Sequence, residues 1–262
     1  MGTTIHFHIK DIIPYINWVY FYHAWGIKKE DASGLRAEAD TILARWIEQN
    51  KKTTFCTRLF KANSSEDNIL LYTTECREQN SPTTVTLPLL RQQHKPYLCL
   101  ADFVPPIGMN SETIGIFAST VPFEVQGLLE QTLADRLAEA SAERGHEIIR
   151  KEIWGYAKDE NLTTAELFAE RYQGKRPSIG YPSLPDQSLN FIIDQLLDFS
   201  SMGITLTENG AMKPHASTTG LMISHPKCQH FNIGSIGNDQ LADYAHRRGM
   251  KINDLQRFIT VT

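Results

Sequence analysis

The sequence predicts an α+β fold, and three observations lead there. Strand-like and helical segments occur in mixed order, without the regular β-α-β alternation of a doubly wound sheet. No G-x-G-x-x-G follows a strand, so a Rossmann-type cofactor domain is not supported. The 262 residues, 41% of them hydrophobic, suffice for one large domain or two small ones with a real core.

The elements follow in order. Ile5, Phe7 and Ile9 alternate with His6 and His8, as in a short strand, and the two histidines read as a solvated strand face. Ile12 to Trp25 is apolar nearly all round, with Pro14 suited to a first turn, and predicts one buried helix. Asn17 is the polar residue in that aromatic setting that could face a ligand. Leu35 to Asn50 is a cleaner amphipathic helix. Phe55 to Phe60 and Asn68 to Thr74 read as strands joined by a polar turn over residues 63–67. Val85 to Leu89, Tyr97 to Val104 and Ile114 to Thr120 read as further strands, with Asp102 a loop-capping carboxylate.

Phe123 to Trp154 is the longest helical pattern, and Gly145 marks a break or kink in it. Glu139 lies roughly opposite Leu137, so pattern alone makes it a solvated residue. Thr163 and Glu166 have capping-box spacing and start a short helix that runs to Tyr172. Leu189 to Leu197 is a helix with Asp186 as its cap and Gly203 as its stop. Ile204 to Thr207, Thr218 to Ser224 and Phe231 to Ile236 read as strands. A helix over 240–248 closes at Gly249, and Asn253 caps a last one through Phe258.

Tyr172 to Asp186 has neither period. It is rich in proline and glycine, which write a defined path into the chain. A plain connector and a preorganised ligand loop both remain open from composition. Arg176 within it could present a fixed fork to a carboxylate or phosphate.

A net charge of −4 lacks the basic footprint of a nucleic-acid binder. The four scattered cysteines form no C-x-x-C and suggest reduced thiols in a cytoplasmic protein. The first residues show no charged n-region followed by an apolar h-region, so a signal peptide is not expected; no membrane-length apolar run, P-loop, H-E-x-x-H or G-x-S-x-G is found.

An ordered set of short stretches does point somewhere. It comprises Tyr15-Ile16-Asn17-Trp18, Leu90-Arg91-Gln92-Gln93, Leu100-Ala101-Asp102-Phe103, the run from Ala134 to Ala140, and Trp154-Gly155-Tyr156-Ala157. It continues with Tyr172-Gln173-Gly174, Arg176-Pro177, Gly180-Tyr181-Pro182, Leu206-Thr207-Glu208, Ser224-His225-Pro226 and Asp243-Tyr244-Ala245. Together these resemble the C-terminal activation domain of cobalamin-dependent methionine synthase, and the likeness spans residues 1–262 as one domain.

The resemblance implies a C-shaped α+β domain around a central antiparallel sheet flanked by helices. It implies S-adenosylmethionine binding and support for reductive methylation of cobalamin, in methionine biosynthesis. The cobalamin would sit on a partner module, with flavodoxin or a similar reductant supplying an electron; nucleic acid and membrane are not implied. By the same likeness Arg176 would hold the methionine carboxylate, and Ser178, Gly180 and Tyr181 would form a wall. Glu139 would face the positive end of the ligand. The family usually has aspartate at Asn17 and a tyrosine pair at His230-Phe231. The amide loses a charge, and Phe231 keeps only a stacking surface. A non-catalytic docking or cap module with a weakened site is the alternative, and a separate chain and a fragment of a synthase both fit.

Overall fold

The computed structural model describes residues 2–73 and 83–259. Strand β1 (Thr3–His8) leads into short helices α1 (Ile9–Ile12) and α2 (Trp18–Ala24). Helix α3 (Ser33–Glu48) precedes β2 (Lys52–Ser65), β3 (Asn68–Thr73), β4 (Thr83–Pro88) and β5 (Glu112–Thr120). The long α4 (Gly127–Ile148) continues as a π-helical turn at Ile149–Ile153, and α5 (Thr164–Phe168) and α6 (Leu189–Leu197) follow. A two-residue ribbon, β6 (Thr205–Leu206) with β7 (Met212–Lys213), precedes β8 (Ser217–Ile223), α7 (Asn238–Arg248) and α8 (Ile252–Leu255).

The main sheet is antiparallel in the order β4-β3-β2-β5-β8. Strand β2 is its spine. One edge takes β5 from Thr54 to Ala62; the other takes β1 from Lys52 to Thr57 and β3 from Lys61 to Ser65. Side chains alternate across a strand, so the sheet divides two cores. Phe55, Phe117 and Met222 face α3 and α4 on one side. Ile116, Ala118 and Leu221 face α6 on the other. A smaller cluster under α7 and α8 gathers Leu90, Ile233 and Tyr244. The expected arrangement, a central antiparallel sheet flanked by helices, is the one observed.

Several elements differ from the sequence reading, each for a local reason. Ile12 to Trp25 is broken: a 3-10 turn at Ile13–Tyr15 gives way to extended Ile16 and Asn17 before α2. The pattern at Tyr97 to Val104 forms a 3-10 turn instead of a strand, because the Asp102 carboxylate accepts the Cys99 N–H at 2.8 Å and closes it. Asp102 therefore does cap a loop. Gly145 neither breaks nor kinks α4. A Cβ there would meet the Phe55 ring at 2.6 Å, so this glycine lets the helix sit close on the sheet.

Residues 231–236 form no strand: the Ile233 N–H donates to Pro182 O at 3.0 Å, Gly234 turns the chain at φ +72°, and Ile233 is buried in the third cluster beneath α7. Helix α5 stops at Phe168, short of Tyr172, although its Thr163–Glu166 capping box is present. Helix α6 ends at left-handed Asp198, and Gly203 closes the 3-10 turn that follows it. Lys251, not Asn253, is the N-cap of α8. The polar turn after β2 narrows to Glu66 and Asp67, and Thr74 and Cys76 lie outside the described residues. Cys56, Cys99 and Cys228 are free and buried. Among the described residues no helix is long and apolar enough to cross a membrane, and no cluster could hold a metal.

The π-turn directs Arg150 inward, where its side chain is 0% exposed. It pairs with Glu160, itself 8% exposed, at 2.6 Å, and touches His146 Nδ1 at 2.8 Å. Arginine can only donate, so the His146 ring accepts at Nδ1 and is neutral with its proton on Nε2. Burial first, then the Arg150 charge, holds its pKa well below the ordinary histidine value. Removing one member of a buried pair strands the other charge. Glu160→Ala should therefore cost about 3–5 kcal/mol of unfolding free energy in urea. Asp40→Ala, which breaks the exposed Arg36–Asp40 pair, should cost less than about 1 kcal/mol.

Candidate functional site

Arg176 reaches its place because the chain around it is pinned to the edge of β8. Lys175 and Ile223 exchange backbone hydrogen bonds at 2.9 Å. The Ile179 N–H donates to Thr219 O at 2.8 Å, and the Leu221 N–H donates to Pro177 O at 3.0 Å. The contact requires glycine at 220, where a Cβ would lie 2.1 Å from the Pro177 carbonyl oxygen. Gly174 has φ +78° and would meet Ile223 O at 2.3 Å, so it too accepts only glycine. The Pro/Gly-rich stretch is thus held as an extra, irregular edge of the sheet.

Strand alternation then turns Arg176 toward α4. Its guanidinium lies 5.1 Å over the Phe117 ring, and its side chain is 10% exposed. Arg176 Nη2 is 3.4 Å from Glu143 Oε2 and 3.7 Å from Glu139 Oε2. Glu139 and Glu143 are one helical turn apart, so α4 presents both to one guanidinium. Arg176 Nε and Nη1 are buried and have no protein acceptor. Such donors are costly unless a partner arrives. Burial raises the pKa of Glu143, with Arg176 the largest opposing influence.

These groups open into a cleft of about 270 Å³. Its walls come from α4 (Arg136, Glu139, Glu143), from the break before α2 (Tyr15, Asn17) and α2 itself (Tyr20), from the end of α5 (Phe168, Glu170), and from the pinned loop (Tyr172, Arg176, Ser178, Tyr181). His230 closes one side. Tyr15 donates its hydroxyl to Glu147 at 2.5 Å and fixes the Asn17 segment on α4. Burial, then the Glu147 bond, pushes the Tyr15 hydroxyl up to about 12. The Tyr181 hydroxyl donates to Glu139 at 3.3 Å; that carboxylate, then burial, pushes its pKa up to about 12.

Of the residues singled out from sequence, Asn17, Glu139, Arg176, Ser178, Tyr181 and His230 line this one cleft. Glu139 is therefore no free surface carboxylate, and helical pattern alone misplaced it. Gly180 and Phe231 lie outside the lining. Gly180, at φ +90°, packs against the Gln187 side chain, and Phe231 packs between the second and third cores. Tyr15, Arg136, Glu143, Glu170 and Tyr172 line the cleft and were not anticipated. Glu143 had a usable signal: it lies four positions beyond Glu139 on one helix. Glu170 had none, since its place depends on where α5 ends.

The molecule is thus an α+β domain in which an edge-pinned arginine loop faces a helix-borne carboxylate pair across a cleft. The family described as "Vitamin B12 dependent methionine synthase, activation domain" matches residues 8–249, and the chain belongs to it. Among solved structures the chain is similar to one described as the crystal structure of the MetH reactivation domain bound to AdoHcy. The two share 32% identity and a TM-score of 0.87, over 98% of this chain and 89% of that one.

The close approach at Gly220 gives a test of the pinned loop. Gly220→Ala should lower the unfolding free energy by about 3 kcal/mol, because backbone must move. Gly34→Ala, in α3 with nothing within 4 Å of the added methyl, should be neutral or stabilising by up to about 1 kcal/mol. Denaturant titration of both variants reads the difference.

Proposed function

We propose that the cleft binds S-adenosylmethionine, and that the protein supports reductive methylation of a cobalamin held on another module, acting in trans. The observation that carries this reading is Arg176, with two unsatisfied buried donors, set beside an excess of carboxylates. A zwitterionic amino acid with a sulfonium has one negative and two positive charges. The cleft offers the converse: guanidiniums at 136 and 176 and carboxylates at 139, 143 and 170. Family membership and the AdoHcy-bound structural relative point the same way.

The residues divide the work as follows. Arg176 Nε and Nη1 donate to the ligand carboxylate, and these charge-assisted bonds relieve the two buried donors. Glu139 and Glu143 set a negative potential for the ammonium and sulfonium. Tyr15, Tyr20, Tyr172 and Tyr181 offer ring surface for the adenine. Ser178, buried against β8 next to Gly220, gives the loop wall its shape. When bound, S-adenosylmethionine supplies an electrophilic methyl group for reduced cobalt on the partner module, with an electron from flavodoxin or a similar donor. The protein's own part is to hold and orient; no side chain need exchange a proton.

A second reading, a docking or cap module whose ligand site has weakened, has Asn17 and His230 in its favour. Retention of cobalamin-module binding by an Arg176→Ala variant, with no S-adenosylmethionine binding by the wild type, would support it.

Calorimetry decides between them. The wild type should show saturable S-adenosylmethionine binding, and no heat at millimolar ligand would count against the proposal. Arg176→Ala should raise Kd about 10- to 100-fold, the loss expected for hydrogen bonds to a charged group. Asn17→Asp should tighten S-adenosylmethionine by about two- to fivefold, and more than it tightens AdoHcy, whose sulfur is uncharged.

A further inference from the structure

At the mouth of the cleft His230 Nε2 lies 3.1 Å from Glu170 Oε2. Both residues line the cleft, and the imidazole is 41% exposed, so protons reach it freely. Glu170 is held firmly. It sits just past α5 in the left-handed region at φ 51°, which favours glycine and is adopted here by a bulkier residue. Its carbonyl accepts Lys175 Nζ at 3.0 Å, and its carboxylate lies 3.7 Å from the same ammonium. Three chain segments, the end of α5, the pinned loop and the stretch before α7, therefore meet at one carboxylate.

We propose that the His230–Glu170 pair sets how strongly the cleft prefers a sulfonium ligand over the matching uncharged thioether. The inference rests on the reading of the cleft as an S-adenosylmethionine site. The preference falls as His230 takes up a proton. A neutral imidazole carrying its proton on Nε2 donates to Glu170, and an imidazolium donates through the same atom. The contact thus survives protonation, and only the charge changes.

The charged and titratable groups around His230 fix the direction. The loop contributes Tyr172, Lys175 and Arg176, and α4 contributes Arg136, Glu139 and Glu143. With His230 neutral, the three carboxylates on the walls outnumber the two guanidiniums by one, and Lys175 stands 3.7 Å from Glu170 outside the lining. One more proton cancels that excess and weakens the attraction for a sulfonium. Glu170 stays ionised through this change. Burial acts against its charge, but the His230 bond and charge, then Lys175, bring its pKa below the ordinary carboxylate value. Burial also raises the pKa of Glu143, a second group on the wall whose charge bears on the ligand. A variant at 230 separates the two contributions.

The test compares S-adenosylmethionine with S-adenosylhomocysteine by calorimetry at constant ionic strength, at a series of pH values from about 5.5 to about 8. The two ligands share adenosine, ammonium and carboxylate, so the ratio of their Kd values isolates the sulfur charge. In the wild type the preference for the sulfonium should rise about two- to fivefold across this range, the scale of a partly exposed charge pair. In His230→Gln most of that rise should vanish. In His230→Lys the preference should stay at its low-pH value throughout. A pH-independent ratio in the wild type, or an unchanged profile in His230→Gln, overturns the inference while leaving the functional reading intact. Failure of both ligands to bind at every pH overturns the functional reading and this inference with it.

Discussion

The close contact between the Pro177 carbonyl and Gly220 is the constraint on which the site depends. The loop reaches β8 only because residue 220 has no side chain, and the bonds from Lys175 to Ile179 form only if it reaches. Those bonds set the alternation that sends Arg176 toward α4 instead of into solvent. The arginine then meets Glu139 and Glu143 because α4 lies low on the same sheet face, an approach that Gly145 permits above Phe55. Two glycines on different elements, far apart in sequence, thus determine where one guanidinium stands.

The cleft is electrostatically unfinished as it stands. Arg176 has carboxylate neighbours on one nitrogen at 3.4 and 3.7 Å, distances too long for strong charge-assisted bonds. Two of its nitrogens and one Glu143 oxygen are buried without partners. The contrast with Arg150 is instructive. That guanidinium, on the π-helical turn that continues α4, is closed by Glu160 and His146 and stacks 4.1 Å from the Tyr172 ring. One buried arginine is completed by the fold, and the other waits for something outside it. The first also braces Tyr172, which lines the cleft occupied by the second.

Most of the architecture was legible in the sequence where periodicity is strong. Helices α3, α4 and α6 and strands β3 and β5 follow from apolar spacing, and the Thr163 capping box from its motif. Reading failed where a side chain overrides the pattern: Asp102 turning an apolar run into a 3-10 turn, or Ile233 buried by α7 without a strand. The site was legible mainly through family likeness. Composition could not separate connector from ligand loop, and helical pattern assigned Glu139 to solvent because it ignores what packs above a helix. Glu170 and Tyr172 escaped both routes, since tertiary placement alone brings them to the cleft.

The bonds between residues 175–179 and β8 have a consequence outside ligand binding. Strand β8 is the last in its sheet, and a bare sheet edge is a template for joining another chain. The pinned loop covers that edge. Anything that loosens the loop therefore uncovers a row of unpaired backbone groups on a mostly buried strand that ends in Leu221, Met222 and Ile223. A ligand that grips Arg176 would hold the cover shut, so occupancy of the cleft and resistance to aggregation would rise and fall together.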